Sequence, residues 1–376
     1  MVRSAVSTSV SLTVPIVLYV PVNHRVKDLV TAMPYYHPIK KIRDQEERMR
    51  VVDRLLLLRR QLDAQIPRKT ESDTLLLATW NIREFGDNRR LESYYYLAEI
   101  INRFDLIAIQ EVSADLKGLE RVMALMNPQW DYIVTDSTDG SAGGGERMAF
   151  IYDRSKVAFK NMAGEIVLPR EKLIEDGLQF ARSPFCVAFQ AKWFKFKLVT
   201  VHIYYGASSG IDPRRLAEID TIAAFLARRA KQENESYILL GDFNIVKTSD
   251  ATFHALEKHG FYIPDSIKQH PSDLGQTRHY DQIAFNIKLS PSMTVFAEGE
   301  QRADAFNFAQ SVYTLQDLNV YRPYFPEKTI QGKSEPDIEK YYRTSWRTFQ
   351  MSDHLPLWVE LKIDFSDQYL EALKSR

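Results

Sequence analysis

Cysteine is almost missing from this chain of 376 residues, which contains only Cys186. A single thiol excludes an internal disulfide framework and favours a reducing compartment. Cys186 lies in the apolar run at residues 185–189, so we expect it to be a small buried hydrophobe. The chain also has no Cys/His spacing typical of structural zinc.

An excess of either charge is missing as well, because 49 basic residues balance 49 acidic residues. No global field therefore attracts the chain to nucleic acid or to an anionic membrane, and contacts with a polyanion must come from local clusters. With 45% hydrophobic and 26% charged residues, the composition predicts a soluble globular protein with one large core and an appendage.

Long uninterrupted apolar segments are not present either. Residues 5–22 are moderately apolar, but serine and threonine dilute them, and Pro15 and Pro21 interrupt them. We therefore expect neither a secretory signal nor a membrane span, and a strand-like or disordered leader is the ordinary interpretation. Because the composition changes at Met33, a second hypothesis places the true start there.

A charged amphipathic segment follows this leader. Residues 40–65 repeat apolar side chains near helical spacing, and Pro67 with the polar run 69–73 marks a boundary. We expect the apolar stripe of this helix to dock on the body of the chain. A partner protein or a homodimer held through residues 40–65 is the alternative.

Strand-length apolar runs then alternate with helix-length stretches, which indicates an α/β fold. Strands are predicted at 75–80, 106–109, 148–152, 196–201, 238–240, 282–285 and 355–361, and helices at 91–103, 114–126, 213–232 and 251–259. Several strands are short and almost continuously apolar, as expected when both faces of a sheet are covered.

Residues 298–350 interrupt this alternation with aromatic side chains interleaved with arginine and lysine. Such a composition suits stacking on a nucleic-acid strand, but a small packed subdomain is the more frequent explanation. We divide the chain into an N-terminal leader and helix (1–72), a main domain (73–364) that contains this insertion, and a C-terminal tail (365–376).

Five short polar clusters directly follow apolar runs, where strands are predicted to end. They are residues 81–83, 110–111, 202, 241–244 and 352–354. Carboxylates, carboxamides and imidazoles are costly to bury without partners, so their convergence on one rim predicts a hydrated metal or phosphate site.

The cluster at 241–244 combines a glycine with two polar residues. Gly241 permits a sharp turn, and alternation places Asp242 and Asn244 on one side. A carboxylate can orient or deprotonate a water molecule, and a carboxamide can hold a phosphate oxygen. The competing interpretation is that both residues only form the turn after the strand.

Glu111 emerges from an apolar strand and therefore needs a cation or hydrogen bonds. Mg²⁺ takes only one or two protein carboxylates and keeps several waters, so Glu111, Asn81 and Asp353 would suffice as ligands. The alternative is a surface glutamate paired with Arg83 or Arg121.

Two histidines also occupy these clusters. His202 ends one strand, and His354 follows Asp353 after a polar break. Either can be structural, but two imidazoles with carboxylate partners can supply the proton transfers of phosphodiester cleavage near neutral pH. Glu146 and Asp281 are the candidate partners.

Other nucleophile and phosphate motifs are missing. The glycines at 140 and 143–145 have no Walker lysine beside them, which favours a flexible loop over a phosphate loop. No G-x-S-x-G elbow occurs, and residues 208–210 are typical of a simple loop.

Taken in order, the clusters resemble the endonuclease/exonuclease/phosphatase superfamily, and within it the deoxyribonuclease I-like nucleases, over about residues 75–362. The similar segments are 79–86 (TWNIREFG), 109–112 (IQEV), 146–150 (ERMAF), 180–184 (FARSP), 201–202 (VH), 241–244 (GDFN), 280–283 (YDQI) and 352–356 (SDHLP). A single motif is unspecific, whereas the whole series in the family's order is specific.

The resemblance implies a four-layer α/β sandwich, in which helices flank two face-to-face mixed sheets, with an N-terminal helical extension. It also implies a metal-dependent phosphodiesterase, an endonuclease that hydrolyses DNA by water attack with help from the metal and histidine. The implied cofactor is Mg²⁺, with Mn²⁺ or Ca²⁺ as alternatives, and the implied partner is nucleic acid.

The resemblance further assigns a role to each candidate residue. The metal ligands would be Asn81, Glu111 and Asp353. The catalytic residues would be Glu146 with His202, Asp281 with His354, and Asp242 and Asn244, which would position the attacking water or a second ion. The substrate contacts would be Arg83, Arg182 and Thr277.

The chain departs from this family branch in several ways. Ser113 stands where these nucleases place a minor-groove arginine, so groove reading of a duplex is not implied. Their secretory signal and disulfides are missing, whereas the helical leader and residues 298–350 are additional. We therefore expect a bacterial cytoplasmic enzyme without a membrane partner rather than a digestive one.

Two other functions stay open. One is a phosphatase or phospholipase of the same superfamily, acting on an inositol phosphate or a sphingolipid, although the 280–283 motif and the two His-carboxylate pairs resemble nucleases more. The other is a non-catalytic interaction protein on the same scaffold, which would have no need to retain every catalytic side chain.

Overall fold

The computed structural model describes residues 34–138, 144–174, 177–207, 211–290, 293–296 and 302–374. The predictions for the leader, for the glycines at 140 and 143, and for the loop at 208–210 lie outside these ranges. Among the helices of the described ranges, none combines the length and the apolar character needed to cross a membrane.

Two mixed β-sheets form the centre of the molecule. Their strands are β1 (Thr74–Phe85), β2 (Leu106–Val112), β3 (Trp130–Val134), β4 (Arg147–Asp153), β5 (Val157–Glu165), β6 (Phe185–Ala191), β7 (Phe194–His202), β8 (Tyr237–Asp242), β9 (Asp281–Asn286), β10 (Ala303–Ala305) and β11 (Leu357–Lys362). One sheet has the order β10-β11-β1-β2-β4-β3, and the other has the order β5-β6-β7-β8-β9. Strands β1 and β2 face β7, β8 and β9 across the shared core.

Helices cover the outer faces of both sheets. They are α1 (Gln45–Gln65), α2 (Leu91–Ile101), α3 (Lys117–Met123), α4 (Pro213–Glu233), α5 (Ala251–Lys258), α6 (Asp265–Lys268), α7 (Leu318–Tyr321), α8 (Glu327–Ile330), α9 (Glu335–Tyr341), α10 (Arg347–Gln350) and α11 (Ser366–Lys374). The parallel pairs β1/β2 and β7/β8 are joined through α2 and α4, as parallel strands require a crossover. The architecture is the α/β sandwich of two mixed sheets flanked by helices, and the predicted fold class is confirmed.

Helix α1 begins later than the predicted start at residue 40. The side chain of Asp44 accepts a hydrogen bond from the backbone N–H of Glu47 at 2.7 Å, which is an N-cap that starts the helix at Gln45. Its stripe of Val51, Leu55, Leu58 and Leu62 is buried, so the helix docks on its own chain as expected.

Other differences from the predicted elements are local. Strands β3, β5, β6 and the short β10 were not predicted from the sequence. Strand β5 was missed because much of it is polar and exposed at the edge of its sheet. Helix α3 is shorter than the predicted 114–126, because Leu116 directly before it adopts a left-handed conformation (φ 59°).

The aromatic residues of the 298–350 segment are mainly core. Tyr313, Tyr321 and Trp346 are buried and pack on one another, with ring centroids 5.0 Å apart for Tyr313 and Tyr321 and 4.9 Å for Tyr321 and Trp346. Tyr313 also contacts Tyr96 of α2 at 5.7 Å. Buried rings cannot stack on a nucleic-acid strand, so the strand-binding interpretation is wrong for these side chains.

Candidate active site

The register of three neighbouring strands brings three candidate residues together. Asp242 at the end of β8 pairs directly with His202 at the end of β7 on one side and with Asp281 at the start of β9 on the other. Asn81 of β1 approaches from the opposing sheet, where its side-chain amide donates to Asp242 Oδ2 at 3.0 Å. The site therefore lies at one end of the sandwich, between the two sheets.

Asp242 is the centre of this arrangement. Its Oδ2 lies 3.6 Å from His202 Nε2 and 3.8 Å from His354 Nε2. Its Oδ1 accepts the backbone N–H of Asn244 at 2.8 Å. Gly241 is needed directly before it, because φ is +133° there and a Cβ would lie 2.2 Å from the carbonyl oxygen of Val201.

His202 forms the first imidazole-carboxylate pair. Its Nδ1 donates to Glu146 Oε2 at 2.9 Å, and Arg182 binds the same carboxylate through Nε at 3.0 Å and Nη2 at 2.8 Å. Burial would raise the pKa of Glu146, but His202 and Arg182 outweigh it and lower that pKa to about 2. Burial lowers the pKa of His202, but the bond to Glu146 and the charge of Asp242 raise it overall.

His354 forms the second pair. Its Nδ1 donates to Asp281 Oδ2 at 2.8 Å, and its ring stacks on Tyr280 at 5.3 Å between centroids. Ser272 Oγ accepts the backbone N–H of Asp281 at 2.8 Å. Burial lowers the pKa of His354, but the carboxylates of Asp281 and Asp242 raise it well above its ordinary value.

Asn81 and Glu111 form the best-suited cation site. The amide of Asn81 donates to Glu111 Oε1 at 2.9 Å, and the backbone N–H of Glu84 donates to Glu111 Oε2 at 2.8 Å. Asn81 Oδ1 is buried without a hydrogen-bond partner among the described residues, which suits an oxygen ligand of a hard cation. The alternative pairing of Glu111 is not found, since Arg83 pairs with Glu84 and Arg121 with Asp87.

A second group of possible ligands is Asp242, Asp281 and His354, whose ligand atoms lie within 4.8 Å of one another. His354 Nδ1 already faces Asp281, and the two nitrogens of an imidazole point in different directions. A cation on His354 Nε2 would therefore lie on the side of the ring away from Asp281. This geometry favours a cation at Asn81 and Glu111.

The structure places the other predicted residues around this centre. Arg83 donates through Nη1 to Thr348 Oγ1 at 2.8 Å, which ties it to α10. Asp353 is exposed beside His354. The side chain of Asn244 donates to the carbonyl of Ile203 at 2.8 Å, which supports the turn, and its role in positioning water or an ion stays a prediction.

Thr277 does not join the central cluster through the contacts that the structure describes. It is exposed, and its backbone N–H and hydroxyl both donate to the carboxylate of Asp273, at 2.6 and 3.2 Å. A role for Thr277 in binding substrate stays a prediction.

Two residues that support the site, Ser352 and Arg89, were not predicted to have a role there. Ser352 donates to the carbonyl of Asn81 at 2.6 Å and accepts the backbone N–H of His354 at 3.0 Å. Its position inside the 352–354 motif was the available signal. Arg89 is buried and donates to the carbonyls of Arg83 and, at 2.8 Å, Glu84, but nothing in the sequence distinguishes it from other arginines.

Gln110 was noted in the sequence only as a member of a strand-end cluster. It is buried below the site, where its amide donates to Thr79 at 3.1 Å and to Thr200 at 2.8 Å. Because Thr79 and Thr200 belong to opposite sheets, Gln110 connects the two sheets beneath the candidate site.

The chain belongs to the Endonuclease/Exonuclease/phosphatase family, whose model matches residues 78–286. Members of this family are metal-dependent phosphoesterases. The expected family is thereby confirmed.

Two curated relatives match part of the chain. Deoxyribonuclease-1 of Equus caballus is 26% identical over 184 residues, which are 46% of this chain and 61% of that protein. Deoxyribonuclease-1 of Bos taurus is 26% identical over 185 residues, again 46% and 61% of the two chains. The chain thus spans about three fifths of the length of these relatives.

Solved structures are similar at lower sequence identity. A family protein from Bacteroides thetaiotaomicron is 19% identical with a TM-score of 0.49, covering 79% of this chain and 98% of that one. A mannosyl-6-phosphatase from the same organism is 18% identical with a TM-score of 0.48, covering 76% and 99%.

Proposed function

We propose that the chain is a Mg²⁺-dependent phosphodiesterase that hydrolyses DNA, most like the deoxyribonuclease I branch of its family. The observation that carries this proposal is the convergence of two imidazoles on one carboxylate oxygen, Asp242 Oδ2. Each imidazole is oriented through Nδ1 by its own carboxylate, Glu146 or Asp281. The 26% identity to the two deoxyribonucleases supports the choice of substrate.

We propose a role in hydrolysis for each group of this centre. Asp242 is a carboxylate between two imidazoles whose pKa values are raised, so it is the group suited to orient the attacking water and accept its proton. The raised pKa values favour the protonated form of both imidazoles. One imidazolium stabilises the charge on the phosphoryl oxygens, and the other protonates the leaving oxygen.

Asn81 and Glu111 would hold the metal, with Asp353 as a further ligand from the rim. When bound, Mg²⁺ supplies positive charge that neutralises the phosphate in the transition state. Mn²⁺ or Ca²⁺ are alternatives for this site. Arg83 and Arg182 would contact the phosphate from the rim, although Arg182 already binds Glu146.

We also propose that the enzyme acts in a bacterial cytoplasm.

The experiment that tests this function compares substrates and metals. Purified protein is incubated with plasmid, single-stranded DNA, RNA and an inositol phosphate, with Mg²⁺ or with a chelator, beside His354→Ala. We expect DNA cleavage that needs Mg²⁺ and His354. Cleavage that persists in chelator or in the variant would contradict the mechanism. Hydrolysis of the inositol phosphate alone would favour the phosphatase alternative.

A further inference from the structure

A loop next to the catalytic site presents an exposed tyrosine on a fixed backbone. The loop at residues 203–207 directly follows His202. Arg215 of α4, only 2% exposed, donates to the carbonyls of Tyr205 and, at 2.7 Å, Ala207. Glu218 of α4 accepts the backbone N–H of Tyr204 at 3.1 Å. The loop is therefore held by two buried charged side chains.

The ring of Tyr205 is 43% exposed, although its backbone is held so firmly. Its side chain lies close enough to Arg278 and Tyr280 to help raise the pKa of both groups. Arg278 in turn donates to the Tyr280 hydroxyl and lies 5.4 Å from the centroid of that ring. Since Tyr280 stacks on His354, continuous contacts connect the exposed ring of Tyr205 to a catalytic imidazole.

The opposite rim of the site has a different character. Ser113, after β2, donates to Asp115 at 2.7 Å, and Lys117 pairs with Asp115 at 3.0 Å. Arg121 pairs with Asp87 at 3.6 Å. The cations of this rim are thus paired with carboxylates, which repel a phosphate backbone, whereas the Tyr205 side offers a ring and a guanidinium.

An exposed aromatic ring beside a phosphodiesterase site can stack on a nucleobase. Stacking needs a base with a free face, and the bases of a duplex already stack on their neighbours. Arg278 adds a positive charge beside the ring for the adjoining phosphate. A fixed ring also loses little conformational entropy on binding.

We propose that Tyr205, supported by Arg278 and Tyr280, binds an unpaired base next to the scissile phosphate, so that the preferred substrate is single-stranded nucleic acid. This inference rests on the proposed phosphodiesterase function. It assigns Tyr205 a role in substrate specificity rather than in the chemical step.

The test uses two single strands of equal length, one with normal bases and one with base-free tetrahydrofuran sugars on the same phosphate backbone. Stacking contributes about 1–3 kcal/mol per base, so Tyr205→Ala should raise KM for the normal strand about tenfold and leave kcat within about twofold. KM for the base-free strand should not change. Tyr205→Phe keeps the ring and should stay within about threefold of the original protein.

Tyr369→Ala is the matched control, because Tyr369 has the same 43% exposure but lies on α11. This helix follows the end of β11 that pairs with the start of β1, which is the end of the sandwich away from the site. The control should cleave both strands like the original protein.

Three results would overturn the inference. One is an equal effect of Tyr205→Ala on both strands, and another is no effect on either. The third is a fully paired duplex cut as fast as the single strand. If none of these substrates is cleaved in a His354-dependent manner, the proposed function itself fails. This outcome differs from a failure of the Tyr205 inference alone, because the base-free strand then also stays intact.

Discussion

The two imidazole-carboxylate pairs of the site share one geometry but lie in different surroundings. Glu146, whose side chain is 21% exposed, is bound by the guanidinium of Arg182 as well as by His202. The side chain of Asp281 is fully buried, and its Oδ1 has no hydrogen-bond partner within the described residues. One imidazole is thus oriented by a balanced ion cluster at the rim, and the other by a carboxylate buried in the core.

The two carboxylates have similar roles toward their imidazoles, but their charges are balanced by different partners. The charge of Asp281 is balanced mainly by His354, so a change at either residue leaves the other buried without its partner. The charge of Glu146 is shared between His202 and Arg182, so a change there can be compensated. The comparison therefore predicts that the buried pair is the more sensitive to substitution.

The largest effect is expected at the buried pair. Asp281→Asn should lower kcat about 10³-fold, because a neutral amide no longer favours the charged imidazole and can hold the wrong tautomer. The measurement is single-turnover cleavage of DNA with Mg²⁺. The control is Asp220→Asn, which alters another close pair, Asp220 with His259 at 2.9 Å, on α4. Equal losses in the two variants would contradict the prediction.

A smaller and reversible loss is expected at the rim pair. Glu146→Gln should lower kcat about 10²-fold, because the unbalanced charge of Arg182 then lowers the pKa of His202. Adding Arg182→Gln removes that charge and should restore about tenfold. A double variant that is less active than Glu146→Gln would show that the phosphate contact of Arg182 outweighs its effect on His202.

The same ion cluster predicts a dependence of stability on pH. The pKa of Glu146 is lowered to about 2, so the folded protein binds fewer protons than the unfolded chain between about pH 5 and pH 2. The stabilisation is present above that window and is lost as the pH falls through it. Glu146→Gln should cost about 2 kcal/mol at pH 7 and less than half of that at pH 3. Urea unfolding at both pH values measures this, and a constant difference would be contrary to the account.

The smallest effect is expected at Ser352, which supports the backbone of Asn81 and of His354 without contacting either carboxylate of the pairs. Ser352→Ala removes the bond to the Asn81 carbonyl and the acceptor for the His354 N–H. Unfolding should become easier by about 1–2 kcal/mol, with kcat lowered about threefold. The comparison is Ser72→Ala, a partly exposed serine bonded to its neighbour Asp73, which should leave both values unchanged.

Several strands at the candidate site were predictable from sequence because a polar group directly follows an apolar run. Asp242 and His202 illustrate this, since the strand end itself places them at the rim. The first residue of α1 was not predicted, because the N-cap at Asp44 sets it and the spacing of apolar residues does not reveal that cap. The contact of Arg182 with Glu146 joins residues distant in sequence, and only the folded chain brings them together.

The aromatic segment at 298–350 is a second feature whose role the sequence alone could not decide. Its composition fits both stacking on a nucleic acid and packing in a core, and only the burial of Tyr313 and Tyr321 decides between them. An exposed ring next to the site is instead Tyr205, which follows His202 closely in a loop that no apolar pattern predicted.

The most direct measurement of the central claim is the cleavage rate of DNA by Asp242→Asn in Mg²⁺, since Asp242 is the group on which both pairs converge. A rate at least about 10³-fold below that of the original protein, with unchanged circular dichroism, is the predicted result. Cleavage within about twofold of the original rate would contradict the claim that the two imidazoles and this carboxylate form one phosphodiesterase centre.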